Sequence, residues 1–297
     1  MAINSASRVH PRRSVLYMPG SNARAQEKAK NLAADGLILD LEDAVAPDAK
    51  ETAREIVCAN AASDAYGARE IIIRVNGLDT PWGRDDIIAA AKAAPDAILL
   101  PKVENAAQVH ALEALMDEAG APVGTSIWCM METPLGILNA QEIASSSARV
   151  SCFVMGTSDL VKDLQAQHTQ MRLPVITSLG LCLLAGRAYG LSVLDGVYLD
   201  LSDEAGFKAS CVQGLELGFD GKTLIHPKQL ASSNEVFAPS EAEVNYSRRV
   251  IEAFEAATKE GKAVVLVDGK LVENLHVEIA KAKVALADAI AQLAEAE

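Results

Sequence analysis

Short apolar runs, each closed by polar or turn-forming residues, recur along this chain at 14–17, 36–39, 70–75, 97–100, 123–129, 152–155, 196–199 and 222–225. Runs this short, bounded by Gly, Pro, Asp or Asn, read as buried strands. Between them apolar positions recur at helical spacing in 23–34, 48–59, 106–118 and 207–217, and Gly36, Gly120 and Gly218 stand where helices would stop. Strand and helix alternating eight times predict parallel βαβ units, which close naturally into an α/β fold of the (β/α)8 TIM barrel type. The first run is not followed by GxGxxG, which argues against a doubly wound sheet. Past the eighth run the pattern predicts a helix near 241–260, a hairpin over 263–272 turning at Asp268-Gly269, and an Ala-rich helix over 278–297. The expected division is therefore a barrel core over 1–239, then the last barrel helix with a hairpin and helix over 240–297, acting as a lid or subunit contact.

Composition narrows the partners. Half of the 297 residues are hydrophobic and only 4% aromatic, which suits helices packed on buried strands. A formal charge of -13 excludes nucleic acid or an anionic membrane as the main partner. Near the start, however, Arg12, Arg13, Arg24, Lys28 and Lys30 stand with a single acid, Glu27, a pattern that fits either a docking place for a small polyanion or ordinary solvated helix faces. The cysteines, Cys58, Cys129, Cys152, Cys182 and Cys211, are odd in number and lack a CxxC pair, so neither a disulfide framework nor a zinc site is indicated. The polar 1–14 segment lacks the apolar stretch of a signal peptide, and the apolar run nearest membrane length, 173–186, falls short. A soluble, cytoplasmic protein is expected.

In a barrel of this kind chemistry sits at the carboxyl ends of the strands. The residues just past the eight runs are, in order, Pro19-Gly20-Ser21-Asn22, then Asp40, Glu42 and Asp43, then Arg74 and Asn76, then Pro101-Lys102-Val103-Glu104, then Glu132-Thr133-Pro134, then Gly156-Thr157-Ser158-Asp159, then Asp200, and finally His226-Pro227. Carboxylates crowded in a partly dry mouth raise one another's pKa unless a cation neutralises them. Hard oxygen donors select Mg2+, with Mn2+ also admitted, over zinc. Each residue also has a structural alternative. An Asp past a strand can cap a helix, Lys102 can be solvated, Arg74 can form an ion pair with Glu42 or Asp43, and His226 can shape a turn. Glu132, after the apolar Trp128-Cys129-Met130-Met131, needs a partner in any case.

The segments RSVLYMPGSNARAQEKA (13–29), LILDLEDAV (37–45), IRVNGLDTPWG (73–83), LLPKVE (99–104), METPLG (131–136), GTSDL (156–160) and LIHPKQ (224–229), in this order, resemble the HpcH/HpaI aldolase and citrate lyase β-subunit superfamily, in its malyl-CoA and citramalyl-CoA lyase branch. The resemblance implies a trimeric or hexameric barrel in which Glu132 and Asp159 hold Mg2+, Arg74 binds the reacting oxygens, and Glu42 and Asp43 hold metal-bound water. It further implies that Asp268, on the lid of a neighbouring subunit, acts on the acyl carbon, and that Arg24, Lys28 and Lys30, with Lys102 and Pro227, meet coenzyme A and substrate. The activity implied is cleavage of a short 3-hydroxyacyl-CoA into acetyl-CoA and a small 2-oxo acid, glyoxylate or pyruvate. Alternatives from the same resemblance are hydrolysis of malyl-CoA, the citrate lyase reaction on an acyl-carrier thioester, and a non-catalytic CoA-binding protein.

Overall fold

The computed structural model describes residues 10–295. Eight strands, β1 (Ser14–Pro19), β2 (Gly36–Asp40), β3 (Glu70–Arg74), β4 (Ala97–Leu100), β5 (Ser126–Met131), β6 (Val150–Met155), β7 (Ser192–Asp195) and β8 (Gly221–Leu224), run parallel and close into a barrel in sequence order. The last seam joins β1 to β8, with Ser14 opposite Lys222 and Leu16 opposite Leu224. Alternate residues of each strand serve two apolar layers. Val15, Ile38, Ile72, Leu99, Trp128, Val154 and Leu194 fill the barrel interior. Leu16, Leu37, Leu39, Ile73, Ile98 and Phe153 pack outward with residues of the surrounding helices. Because both faces are buried, the strands read as continuous apolar runs rather than alternating ones. The amino-terminal end of the barrel carries an ion pair, Arg12 with Glu70 at 2.7 Å, whose guanidinium lies 4.8 Å from the Trp128 ring centroid.

The seventh strand differs from the expected one. The ladder runs through Ser192–Asp195, and 196–200 follows it without ladder partners or regular structure. Val197-Tyr198-Leu199 looks more like a buried strand than Ser-Val-Leu-Asp does, yet Leu199 is exposed and Val193 and Leu194 are buried. Hydrophobicity alone misplaces a strand this short. Gly36 likewise opens β2 instead of ending a helix, the preceding helix having stopped at Ala29. Gly218 (φ +102°) and Gly120 (φ +77°) do lie at helix ends, in the left-handed conformation that glycine adopts without penalty. The helix after β8 that packs on β8 and on the preceding helix is Leu230–Phe237, so the barrel's helical ring ends before residue 240.

Residues 12–237 form one compact unit. In the second, which takes in residues 10–11 and 238–295 of those described, helix Glu241–Lys259 begins in a capping box of Ser240 and Glu243 and packs on helix Asn274–Glu295. Between these helices lies the hairpin of β9 (Val265–Val267) and β10 (Lys270–Val272). It turns at Asp268 and Gly269, both with positive φ, the geometry that favours two-residue hairpin loops. Val250, Val267, Val272, Val277 and Ala280 are its core. Among the described residues no helix is long and apolar enough to cross a membrane, and all five cysteines are free, four of them buried. Residues 1–9 of the polar amino-terminal segment, and the last two positions of the expected final helix, lie outside the described residues.

Candidate active site

The site begins with strand register. Arg74, the last residue of β3, lies directly opposite Asp40, the last residue of β2. Its Nε and Nη2 donate to the two Asp40 oxygens, each at 2.7 Å, a bidentate fork. Nη1 approaches Glu42 Oε2 at 2.7 Å and Asp43 at 3.9 Å, and the Tyr17 ring centroid lies 5.0 Å from the guanidinium. The sequence offered Glu42 or Asp43 as the partner of Arg74, but the principal one is Asp40. Register decides this, and register is invisible in a single strand's pattern. Burial works against the guanidinium's charge, but Asp40, Tyr17 and Glu42 outweigh it and hold the pKa well above its ordinary value.

Asp40 also accepts the N–H groups of Glu42 and Ala44, at 2.9 and 3.2 Å, so the turn after β2 winds around its carboxylate. A buried ammonium braces that turn from behind. Lys50 Nζ donates to the carbonyls of Leu41 and Glu42 and to Asn76 Oδ1, at 2.8, 2.7 and 2.8 Å. Burial lowers its pKa.

Glu132 follows β5 and is 2% exposed. Its Oε1 accepts the backbone N–H of Lys102 at 2.9 Å, while Lys102 Nζ reaches Glu42 Oε1 at 2.8 Å. Burial, reinforced by Glu42, pushes the Glu132 carboxyl up to about 7, against the opposing pull of the Lys102 N–H, Arg74 and the Lys102 ammonium. Gly156, after β6, passes so close that a Cβ there would overlap the Glu132 side chain. Asp159 then falls in the first turn of helix Thr157–Asp163, half-buried, with the exposed Lys162 at 3.7 Å.

One cavity of about 360 Å³ at this end of the barrel is lined by Asp43, Arg74, Glu132 and Asp159 together with Tyr17 and Asp40. Glu42 and Lys102 line a neighbouring cavity of about 810 Å³, which Asp43 also borders. Five expected site residues, Arg74, Glu42, Asp43, Lys102 and Glu132, are thus joined by contact, and Asp159 shares their cavity. The basic segment disperses. Arg12 and Arg13 pair with Glu70 and Asp35, and Lys30 pairs with Glu27, leaving Arg24 and Lys28 exposed on the helix after β1. Pro227 is exposed at the start of a 3-10 turn that His226 caps by accepting the Lys228 N–H. Asp200 belongs to a turn with Ser202, and the carboxylate ending β7 is Asp195, bound to Lys222 and Arg172. Asp268 pairs with Arg249 at 2.8 Å within the smaller unit. Tyr17 and Lys50 are the site residues not singled out by sequence; Asp40 was expected at this rim, but not as the partner of Arg74. Tyr17 occupies an inward position near the end of β1, the signal by which it could have been found.

A model of the HpcH/HpaI aldolase/citrate lyase family matches residues 13–227. The chain belongs to this family. Among its members, the (3S)-malyl-CoA thioesterase of Cereibacter sphaeroides is 52% identical over 286 residues, 96% of this chain and 98% of that protein. The citrate lyase subunit beta of Leuconostoc mesenteroides subsp. cremoris is 38% identical over 94% of each chain. Among solved structures, the protein CitE from Mycobacterium tuberculosis in complex with magnesium, acetoacetate and coenzyme A has a TM-score of 0.73 and 27% identity, covering 93% of this chain and 97% of that one. The family match covers every strand that supplies a residue to the cavity.

Proposed function

We propose that this protein is a Mg2+-dependent enzyme that hydrolyses the thioester of a short 3-hydroxyacyl-CoA, with malyl-CoA as its first candidate substrate. The observation that carries the reading is the convergence of a clamped guanidinium, Arg74, and two carboxylates, Glu132 and Asp159, on one cavity. The near end-to-end 52% identity to a malyl-CoA thioesterase supports hydrolysis ahead of the carbon–carbon cleavage expected from the sequence motifs.

The donor set fits the metal. Among the described residues no three His, Cys, Asp or Glu side chains are arranged to hold an ion unaided, and Mg2+ commonly takes one or two carboxylates, completing its shell with water and substrate. Held by Glu132 and Asp159, a divalent cation supplies Lewis acidity toward substrate oxygens. The chain's own groups account for the rest. In hydrolysis a water oxygen bonds to the thioester carbon, the carbon–sulfur bond breaks, and the thiolate leaves with a proton. Arg74 faces the oxygen on which negative charge develops. Asp43, exposed at the cavity and 3.9 Å from Arg74, is free to take the water's proton, whereas Glu42 is already bound by Arg74 and Lys102. In this reading Arg24 and Lys28, exposed on the helix after β1, would meet the phosphates of coenzyme A, and the exposed Pro227 after β8 would meet substrate.

Carbon–carbon cleavage is the second reading, favoured by the citrate lyase β-subunit relatives. It would use Arg74 for the enolate oxygen and Asp268 for the acetyl-carbon proton. Purified protein incubated with Mg2+ and malyl-CoA decides between them. Free CoA with malate is expected, abolished by chelator and by Asp159→Asn. Glyoxylate with acetyl-CoA would establish the lyase instead, and no turnover of malyl-CoA or citramalyl-CoA would overturn both.

A further inference from the structure

Lys102 holds its backbone at φ +50°, in the left-handed region that a lysine enters only against steric resistance. Of the other non-glycine residues with positive φ, Ala94 ends a helix, Arg172 precedes a 3-10 turn and Asp268 opens a hairpin turn. Lys102 instead lies two residues past β4, on the cavity beside the one lined by Arg74, Glu132 and Asp159, and both of its polar ends are engaged. Its N–H donates to Glu132 Oε1 at 2.9 Å, and its ammonium donates to Glu42 Oε1 at 2.8 Å. With that N–H held on Glu132, rotation to an ordinary extended φ would swing the ammonium off Glu42 and pull the Val103 N–H from the Met130 carbonyl, which it meets at 3.3 Å. Backbone strain kept at a site persists when surrounding contacts over-determine it, and here those contacts are two carboxylates of the site.

The charges give the second half of the case. Arg74 touches both Asp40 and Glu42, so two carboxylates compete for one guanidinium. With Lys102 on Glu42, a second cation shares the load of Asp40, Glu42 and the more distant Asp43, and Arg74 keeps more of its positive charge available for a substrate oxygen. We infer that Lys102 is a positioning residue with two separable tasks, its left-handed backbone aiming one Glu132 oxygen and its ammonium neutralising Glu42 beside Arg74. This role, which replaces a contact with coenzyme A, rests on the metal and Arg74 assignments proposed above.

Two substitutions separate the tasks. Asn tolerates the left-handed region but lacks the ammonium, whereas a β-branched residue disfavours that region. Lys102→Asn is therefore expected to bind Mn2+, measured by electron paramagnetic resonance without thioester, within about twofold of the wild type, while its kcat falls about tenfold or more at little changed KM. Lys102→Val is expected to lose about tenfold in Mn2+ affinity as well as in kcat. Both are compared at matched circular dichroism, and Lys102→Ala stands in if the valine variant does not fold. Wild-type Mn2+ affinity in Lys102→Val, or wild-type kcat in Lys102→Asn, would overturn the inference. Turnover is read on whichever products the wild type makes, so replacement of hydrolysis by cleavage leaves this test intact.

Discussion

At the scale of single residues, Glu132 has the least comfortable environment in the site. Its carboxyl, ordinarily near 4.5, is raised to about 7 by burial and by Glu42. The folded protein therefore holds a proton that the unfolded chain releases between those values. By linkage, the metal-free fold loses stability as pH rises from about 4.5 to about 7, by an amount on the order of 3 kcal/mol from this group. Comparing denaturant unfolding of wild type and Glu132→Gln in chelator at pH 5 and pH 8 measures it. The wild type should lose ground to the variant at pH 8, and an equal difference at both pH values would show the carboxyl ionised throughout. Metal affinity should move the opposite way, rising through pH 7 as the ligand deprotonates. Glu132, Asp159 and Arg74 were legible in the sequence because each lies at or just past the end of a strand. Asp40 was legible only as an acid at a strand end, since its partner is chosen by register.

At the scale of elements, β7 and its surroundings show what the apolar pattern hides. Asp195 ends β7 fully buried, accepting from Lys222 Nζ at 2.8 Å and from Arg172 Nη1 at 2.6 Å. Lys222 is 1% exposed. Removing the shared acid would leave that ammonium without its carboxylate inside the barrel wall. Asp195→Ala should cost about 3–5 kcal/mol, read as a lower denaturant midpoint, with the remaining folded fraction binding metal normally. A cost under about 1 kcal/mol would mean that water reaches Lys222. The mistaken register of the seventh run has the same origin. A strand that ends in Asp and pairs next to a buried Lys has too little apolar content to be found by hydrophobicity, and its polar residues make sense only as neighbours. Gly156 is the opposite case, small because the side chain of Glu132, just past β5, passes within contact of it.

At the scale of the molecule, the smaller unit poses the sharpest question. Asp268 is about half exposed and paired with Arg249, so the pair itself contributes at most about 1 kcal/mol. If the proton-transfer role implied by family resemblance is right, Asp268→Ala should abolish any cleavage activity with almost no change in melting temperature. Normal cleavage in that variant would leave Asp268 as a hairpin residue only.

By itself the sequence determined that this chain would be an eight-stranded parallel barrel, because strands buried on both faces must be apolar throughout and helices must cover them. It also determined where polar and charged side chains would gather, because those that end such strands cluster at one rim. What only the tertiary structure decided is which of those residues meet. Asp40 takes Arg74 by register across β2 and β3, Lys102 joins Glu132 to Glu42 through a strained turn, and most of the basic amino-terminal segment is engaged by acids, Glu70 and Asp35 among them, brought to it by the fold. Pairings of this kind depend on positions brought together from strands 30 or more residues apart, and no local pattern encodes such distances.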